Sequence, residues 1–182
     1  VIIDKAKNAI ARNIEASVAI VGVVAVGDDK KSECAAIRSD RGGGTVLVKG
    51  GTFRTEGFGS PAVYSTADIS IEGADLSASR SEGAVIEGKN SIALKNCRME
   101  GNMAETRLMG KETIKEENVH TVMLYQSMSG DAEEGTSSFS MEGGSLLSRK
   151  GDVFYVTNTD CTIQLDNVKI QNEDSEGALL RV

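Results

Sequence analysis

Apolar and polar residues alternate along most of this chain, and a recurring five-residue figure interrupts the alternation. Lys49–Phe53 reads Lys-Gly-Gly-Thr-Phe, Glu72–Leu76 reads Glu-Gly-Ala-Asp-Leu, and Lys95–Met99 reads Lys-Asn-Cys-Arg-Met. The figure returns at Glu142–Leu146 and Asp166–Ile170, and more loosely at Arg12–Ala16. Its second position is always Gly or Asn: Asn13, Gly50, Gly73, Asn96, Gly143 and Asn167. These two residue types tolerate positive φ best, so the figure marks a tight bend repeated along the chain. Gly50, Gly73 and Asn96 are 23 residues apart, and Gly143 and Asn167 are 24 apart.

The alternation on either side of the bend has period two, which predicts strands. After the bend the inward positions read small then large: Gly51/Phe53, Ala74/Leu76, Cys97/Met99, Gly144/Leu146 and Val168/Ile170. Before the bend they are Val46/Val48, Ile69/Ile71, Ile92/Leu94, Phe139/Met141 and Ile163/Leu165. A further strand opens each repeat, at Val1–Ile3, Gly22–Ala25, Ala62–Ser65, Ala84–Glu87, Met123–Gln126, Val153–Val156 and Ala178–Arg181. The entry motif Ser-Glu-Gly-Ala precedes it at Ser81 and Ser175, with Gly59-Ser60-Pro61-Ala62 as a variant. Helical spacing of Ile2, Ala6, Ile10 and Ile14 competes near the start. The match of Lys7–Ala11 to Lys89–Ala93 overrules it in favour of a strand entry.

Three strands per repeat without hairpin signals predict an all-β chain coiled on itself, a right-handed parallel β-helix of about six turns. Residues 1–182 read as a single such domain, starting and stopping in mid-pattern like a fragment of a longer chain. Two insertions interrupt the coil, at 27–44 and 102–120, the second a loop or a short helix. Cys34–Ser39 resembles a strand entry but follows Val24 too soon for a full turn, which places it in the first insertion.

Composition sharpens this picture. Twenty Gly against one Pro and no Trp suit short strands with tight turns. A net charge of −7 argues against a nucleic-acid footprint. No apolar run is long enough to span a membrane, and no signal peptide is evident. Cys34, Cys97 and Cys161 have neither metal spacing nor a framework of pairs. No cofactor is expected.

The stretches Gly59–Ile69, Leu124–Asp131 and Gly151–Thr159 carry a resemblance to the pectin-lyase-like superfamily of right-handed parallel β-helices. More narrowly, the chain resembles adhesin-like secreted or surface β-helix proteins of anaerobic Gram-positive bacteria. The resemblance implies an extracellular or cell-surface location, with surface attachment or carbohydrate binding as the expected role.

The candidate site lies on the strand that opens each repeat. Its outward column is expected to run Ile3, Val24 or Ala25, Tyr64, Ile86, Tyr125, Tyr155, Leu180, and its inward one Val63, Val85, Leu124, Phe154, Leu179. All three tyrosines fall in the outward column. A strand apolar on both faces is usually covered on both, for which the 102–120 insertion is a candidate. The competing reading is a tyrosine platform for sugar rings or a protein partner, with Tyr64, Tyr125 and Tyr155 as stacking area and Arg38 as a polar contact.

The residue before each bend forms a second column, Arg12, Lys49, Glu72, Lys95, Glu142, Asp166, which reads as a ladder of stacked charges. Asp28-Asp29 and Asp131–Glu134 offer oxygen ligands but follow no recognised calcium loop and read as solvated charge. His120 is the only histidine. Without a nucleophile beside it a catalytic triad is not expected, and it reads as a surface polar residue. The expected function is therefore a non-catalytic surface module binding a polysaccharide or a cell-surface protein. A structural solenoid that stacks head to tail or continues into further turns is the alternative. A polysaccharide lyase or hydrolase comes last.

Overall fold

A left-handed residue at a fixed position in each repeat sets the course of the chain. Gly50, Gly73, Asn96, Gly143 and Asn167 have φ values of 64°, 66°, 50°, 66° and 54°. Asn96 and Asn167 are the only non-glycine residues with positive φ among the described residues. The computed structural model describes residues 2–4, 8–18, 35–40, 44–109, 111–126 and 132–182. Side chains of 2–4, 8–18, 40 and 109 are not included.

The described chain is all-β. In order, β1 (Ile2–Asp4) precedes β2 (Asn8–Val18), and β3 (Ile37–Asp40) precedes β4 (Thr45–Thr55). Then β5 (Val63–Ser65) leads into β6 (Asp68–Glu72) and β7 (Asp75–Ala78), and β8 (Ala84–Glu87) into β9 (Ser91–Gly101). A hairpin of β10 (Thr106–Met109) and β11 (Glu112–Lys115) follows. Next, β12 (His120–Tyr125) leads into β13 (Ser137–Ser148), and β14 (Asp152–Val156) into β15 (Cys161–Asp166) and β16 (Lys169–Asn172). The last strand is β17 (Leu180–Arg181).

Two parallel sheets result. The first stacks β1-β3-β5-β8-β12-β14-β17, and the second stacks β15-β13-β9-β6-β4-β2 with β7 and β16 in the same ladders. Each layer places one strand in the first sheet and then crosses the second sheet through the bend. In β2, β4, β9 and β13 the ladder runs unbroken through the bend, so the expected second and third strands are one continuous strand there. Only β6/β7 and β15/β16 divide at it.

Both inward columns of the second sheet are as the alternation requires. Val46, Val48, Ile69, Ile71, Ile92, Leu94, Phe139 and Met141 are buried before the bend, and Phe53, Leu76, Met99 and Leu146 after it. At Gly144, just after the bend, the absence of a side chain has a steric reason. A Cβ on Gly144 (φ 83°) would stand 1.9 Å from the Cys97 carbonyl oxygen of the layer beside it. By contrast, a Cβ on Gly73 would meet nothing within 4 Å.

Three expectations need correction. The strand of the first sheet in the second layer is β3, inside the expected 27–44 insertion. It pairs Ile2↔Arg38 on one side and Ile37↔Val63 on the other. Gly22–Ala25, expected in that place, lies outside the described residues, as do Cys34, Asp28 and Asp29. The 102–120 insertion is neither loop nor helix but the β10–β11 hairpin, closed by Arg107–Glu116 at 3.0 Å. It joins neither parallel sheet, and His120 already belongs to β12.

The third correction is one of register. The outward column of the first sheet runs Arg38, Tyr64, Val85, Met123, Tyr155, Arg181. Ile86 points inward beside Ser65 and Leu124 and is fully buried. Leu180, not Leu179, continues the inward column from Phe154, and Tyr125 lies opposite Glu87 rather than in line with Tyr64.

The close approach at Gly144 yields a paired prediction. Gly144→Ala is expected to cost about 2–4 kcal/mol, because it combines a backbone clash with a strained φ. Gly73→Asn, in open space at a φ that Asn tolerates, is expected to stay within about 1 kcal/mol of the parent. Urea denaturation midpoints of the two variants check this; equal losses would remove the steric account of the bend.

Candidate functional site

The outer face of the first sheet brings Arg38, Tyr64 and Tyr125 together and leaves Tyr155 apart, with more polar chemistry than their sequence suggests. Arg38 lies opposite Tyr64 in the ladder, its guanidinium 5.5 Å from the ring centre, a cation–π distance. The Tyr64 hydroxyl lies 2.7 Å from that of Tyr125 and donates a short hydrogen bond to Glu87, which is almost fully buried. Burial, then the bonds to Glu87 and Tyr125, push the Tyr64 hydroxyl far above its ordinary value, so it stays neutral.

Tyr155 stands three strands from Tyr64, about 14 Å along the stack. Val85 and Met123 lie between them. Val85 is 5 % exposed, and all three tyrosines are half-buried. Each tyrosine therefore presents an edge rather than an open plate. Arg38 occupies one face of Tyr64, and the His120 ring lies 5.0 Å from that of Tyr155 at 32°.

His120 is the functional candidate that sequence reasoning misplaced. It is 3 % exposed, not a surface residue. Its Nδ1 lies 2.6 Å from the Asn118 carbonyl oxygen. Its Nε2 lies 3.4 Å from Glu82 Oε1 without hydrogen-bond geometry, and it is the one buried side-chain polar atom with no hydrogen-bond partner among the described residues. Asp152 stands opposite His120 in the next strand. It accepts from the Ala178 amide at 2.7 Å and pairs with Arg181.

Glu82, just before β8, and His120, Asp152 and Arg181, on β12, β14 and β17, thus line up along one lip of the sheet. Burial alone would raise Glu82; the nearby His120 ring and the Ser81 hydroxyl, which donates to it, outweigh that and hold the carboxyl at about 2. For Asp152 burial again opposes, and the Arg181 guanidinium, the Ala178 amide and the His120 charge lower it from its ordinary value. The available signal was the entry motif at Ser81-Glu82; its partners come from other repeats.

The charge ladder forms in register, Arg12↔Lys49↔Glu72↔Lys95↔Glu142↔Asp166. Lys49–Glu72 at 3.6 Å and Lys95–Glu142 at 3.5 Å are half-exposed pairs, worth about 0–1 kcal/mol each. Cys97 is buried and Cys161 half-buried, both free, and burial raises both thiols. No group of three or more His, Cys, Asp or Glu among the described residues is arranged to hold a metal ion. Among the same residues no helix is long and apolar enough to cross a membrane.

Glu82 generates a pH prediction. Its carboxyl is held at about 2 in the fold against an ordinary 4.5, so it adds stability that is present above pH 4.5 and lost as pH falls towards 2. Glu82→Gln is expected to lose up to about 3 kcal/mol at pH 5 and to show a shallower stability decline between pH 4.5 and 2. Denaturation of both proteins across that range checks it; parallel curves would mean the His120 contact contributes nothing. Comparison of the chain with known protein families, with curated proteins and with solved structures finds no match.

Proposed function

We propose that this chain is a right-handed parallel β-helix serving as a non-catalytic, adhesin-like module at a bacterial cell surface, where it binds an extended carbohydrate chain. The supporting observation is the column Arg38, Tyr64, Val85, Met123, Tyr155, Arg181. Stacked parallel strands turn a one-dimensional repeat into a long straight strip, and a linear polymer can lie along it. Half-exposed tyrosine edges and two guanidinium groups give that strip apolar contact and hydrogen-bond donors at once. The carboxylates on the same face are engaged by His120, Arg181 and Tyr64 and hold the surface rigid.

With no Trp, the three tyrosines report the face directly. Acrylamide is expected to quench their fluorescence in part, and one polysaccharide of a neutral panel is expected to reduce that quenching. Tyr155→Ala should weaken the same binding by about tenfold, as loss of an aromatic anchor does. Unchanged quenching across the panel would remove this face as a glycan site.

Head-to-tail stacking with a second copy, or continuation of the coil into further turns, would cover apolar side chains of the last described layer. Leu165 is 36 % and Leu180 50 % exposed, while their counterparts Met141 and Phe154 one layer back are at most 2 % exposed. Asp166 stands at the bend register of this layer and Arg12 at that of β2, so the charge column would continue across such a junction. Leu180→Asp is expected to abolish concentration-dependent assembly in sedimentation velocity; a parent chain monomeric at all concentrations would exclude stacking.

A further inference from the structure

The β10–β11 hairpin is held at its base on both legs, and one of the holds is a buried histidine. On the outgoing leg the Asn102 amide donates to the Ser81 carbonyl at 3.1 Å, and Glu105 pairs with Lys150 at 3.1 Å. On the returning leg the Val119 carbonyl accepts from the Asp152 amide at 2.9 Å, and the Asn118 carbonyl lies 2.6 Å from His120 Nδ1. His120 Nε2 lies 3.4 Å from Oε1 of Glu82, the residue after Ser81. The ring therefore stands between the returning leg and the corner to which the outgoing leg is fixed.

Both ring nitrogens face oxygens that only accept, a backbone carbonyl and an ionised carboxylate. A neutral imidazole has one N–H and one bare nitrogen, so it satisfies one side and turns a lone pair on the other. The ring is 3 % exposed, which makes that misfit a buried one and costly. The groups around it favour a cation as well. Glu82 faces it from the corner before β8, and Asp152 stands opposite it on β14. Arg181, on β17, is paired with Asp152, and Glu87 of β8 is bonded by Tyr64. The Tyr155 ring, also on β14, lies 5.0 Å away, within cation–π reach. On β9 and β13, which also pack against β12, the charged residues pair elsewhere: Lys95 with Glu142, Arg98 with Asp75 and Glu100 with Arg149.

We propose that His120 is a pH-operated latch on the base of the hairpin, closed while its ring carries both protons. In the closed state Nδ1–H donates to the Asn118 carbonyl, and the charged ring faces the Glu82 carboxylate as an ion pair. Loss of one proton leaves a bare nitrogen against Asn118 or against Glu82, so in either tautomer one of the two contacts turns repulsive. The returning leg is then released from the Ser81–Glu82 corner, while Asn102 and Glu105 keep their bonds on the outgoing leg. The folded chain holds a proton that an unfolded histidine gives up at about pH 6.5. The latch's contribution to stability is therefore complete below about pH 6.5 and is lost as pH rises and the folded ring deprotonates. Neither parallel sheet has to rearrange, because the hairpin belongs to neither.

His120 is the only histidine, so its ring signals stand alone in a spectrum of the whole chain. Nitrogen-15 NMR between about pH 5 and 9 reads the protonation of each ring nitrogen directly. Both nitrogens are expected to be protonated at about pH 7 in the parent, and one to be bare in Glu82→Gln. Amide exchange, corrected for the intrinsic effect of pH, reads the latch itself. As the ring loses its proton, the Glu116 and Asp152 amides, bonded to Glu105 and Val119 at the base, are expected to lose at least about tenfold in protection, with β9 and β13 unchanged. His120→Gln is expected to abolish that pH dependence. A parent ring with one bare nitrogen at about pH 7 would overturn the proposal, and so would a ring that titrates with no change in exchange at the base. Protection lost evenly over both sheets would overturn it too, since His120 would then support the whole core rather than the hairpin. No ligand takes part, so these outcomes are independent of glycan binding.

Discussion

The left-handed residue at the bend is the constraint on which the rest of the structure depends. A parallel ladder needs every layer to change direction at the same height, and the fixed φ near 60° at Gly50, Gly73, Asn96, Gly143 and Asn167 provides this. Once the bends align, side chains stack in straight columns, and each column takes on a property that no single repeat has. Valine and isoleucine become a continuous core, and alternating lysine and glutamate become an ion-pair ladder. The glycine after the bend in β13 follows from the same constraint: at Gly144 the preceding layer's backbone lies where a side chain would begin.

This explains why the second sheet was legible in the sequence and the first only partly so. In the second sheet one face is apolar and the other polar, so the period-two pattern admits a single register. In the first sheet Val63-Tyr64 and Val85-Ile86 are apolar on both faces, and a slip of one residue costs nothing in pattern. The slip placed Ile86 outside and Val85 inside, whereas pairing with Tyr64 puts them the other way round. β3 was hidden for a related reason. Its place was judged by spacing from Val24, whereas its true partners are Ile2 and Val63. His120 was misread because burial of a polar ring depends on partners in other layers, Glu82 and Asp152.

The two outer faces divide the chemistry between them. On the first sheet nearly every polar group has found an internal partner, which leaves a rigid surface of ring edges with tethered charge. On the segments after the bend cations and carboxylates share an exposed surface, with Asp75 facing Arg98 and Glu100 held by Arg149. Stacking sorts these charges by register rather than by overall composition.

The β10–β11 hairpin shows where this architecture is permissive. Asn102 is fixed to the preceding corner, its amide to Ser81 and its side chain to Ser79 at 3.0 Å, and by His120 the chain is back in register. Between those points it forms its own two-stranded ladder and leaves both parallel sheets undisturbed. From Gly50 to Asn96, and from Gly143 to Asn167, successive bends are held 23 or 24 residues apart. At this corner the count is free, since lengthening a closed loop costs little once its ends are held. New sequence, or an entire folded unit, could enter the chain here without altering any column of the stack.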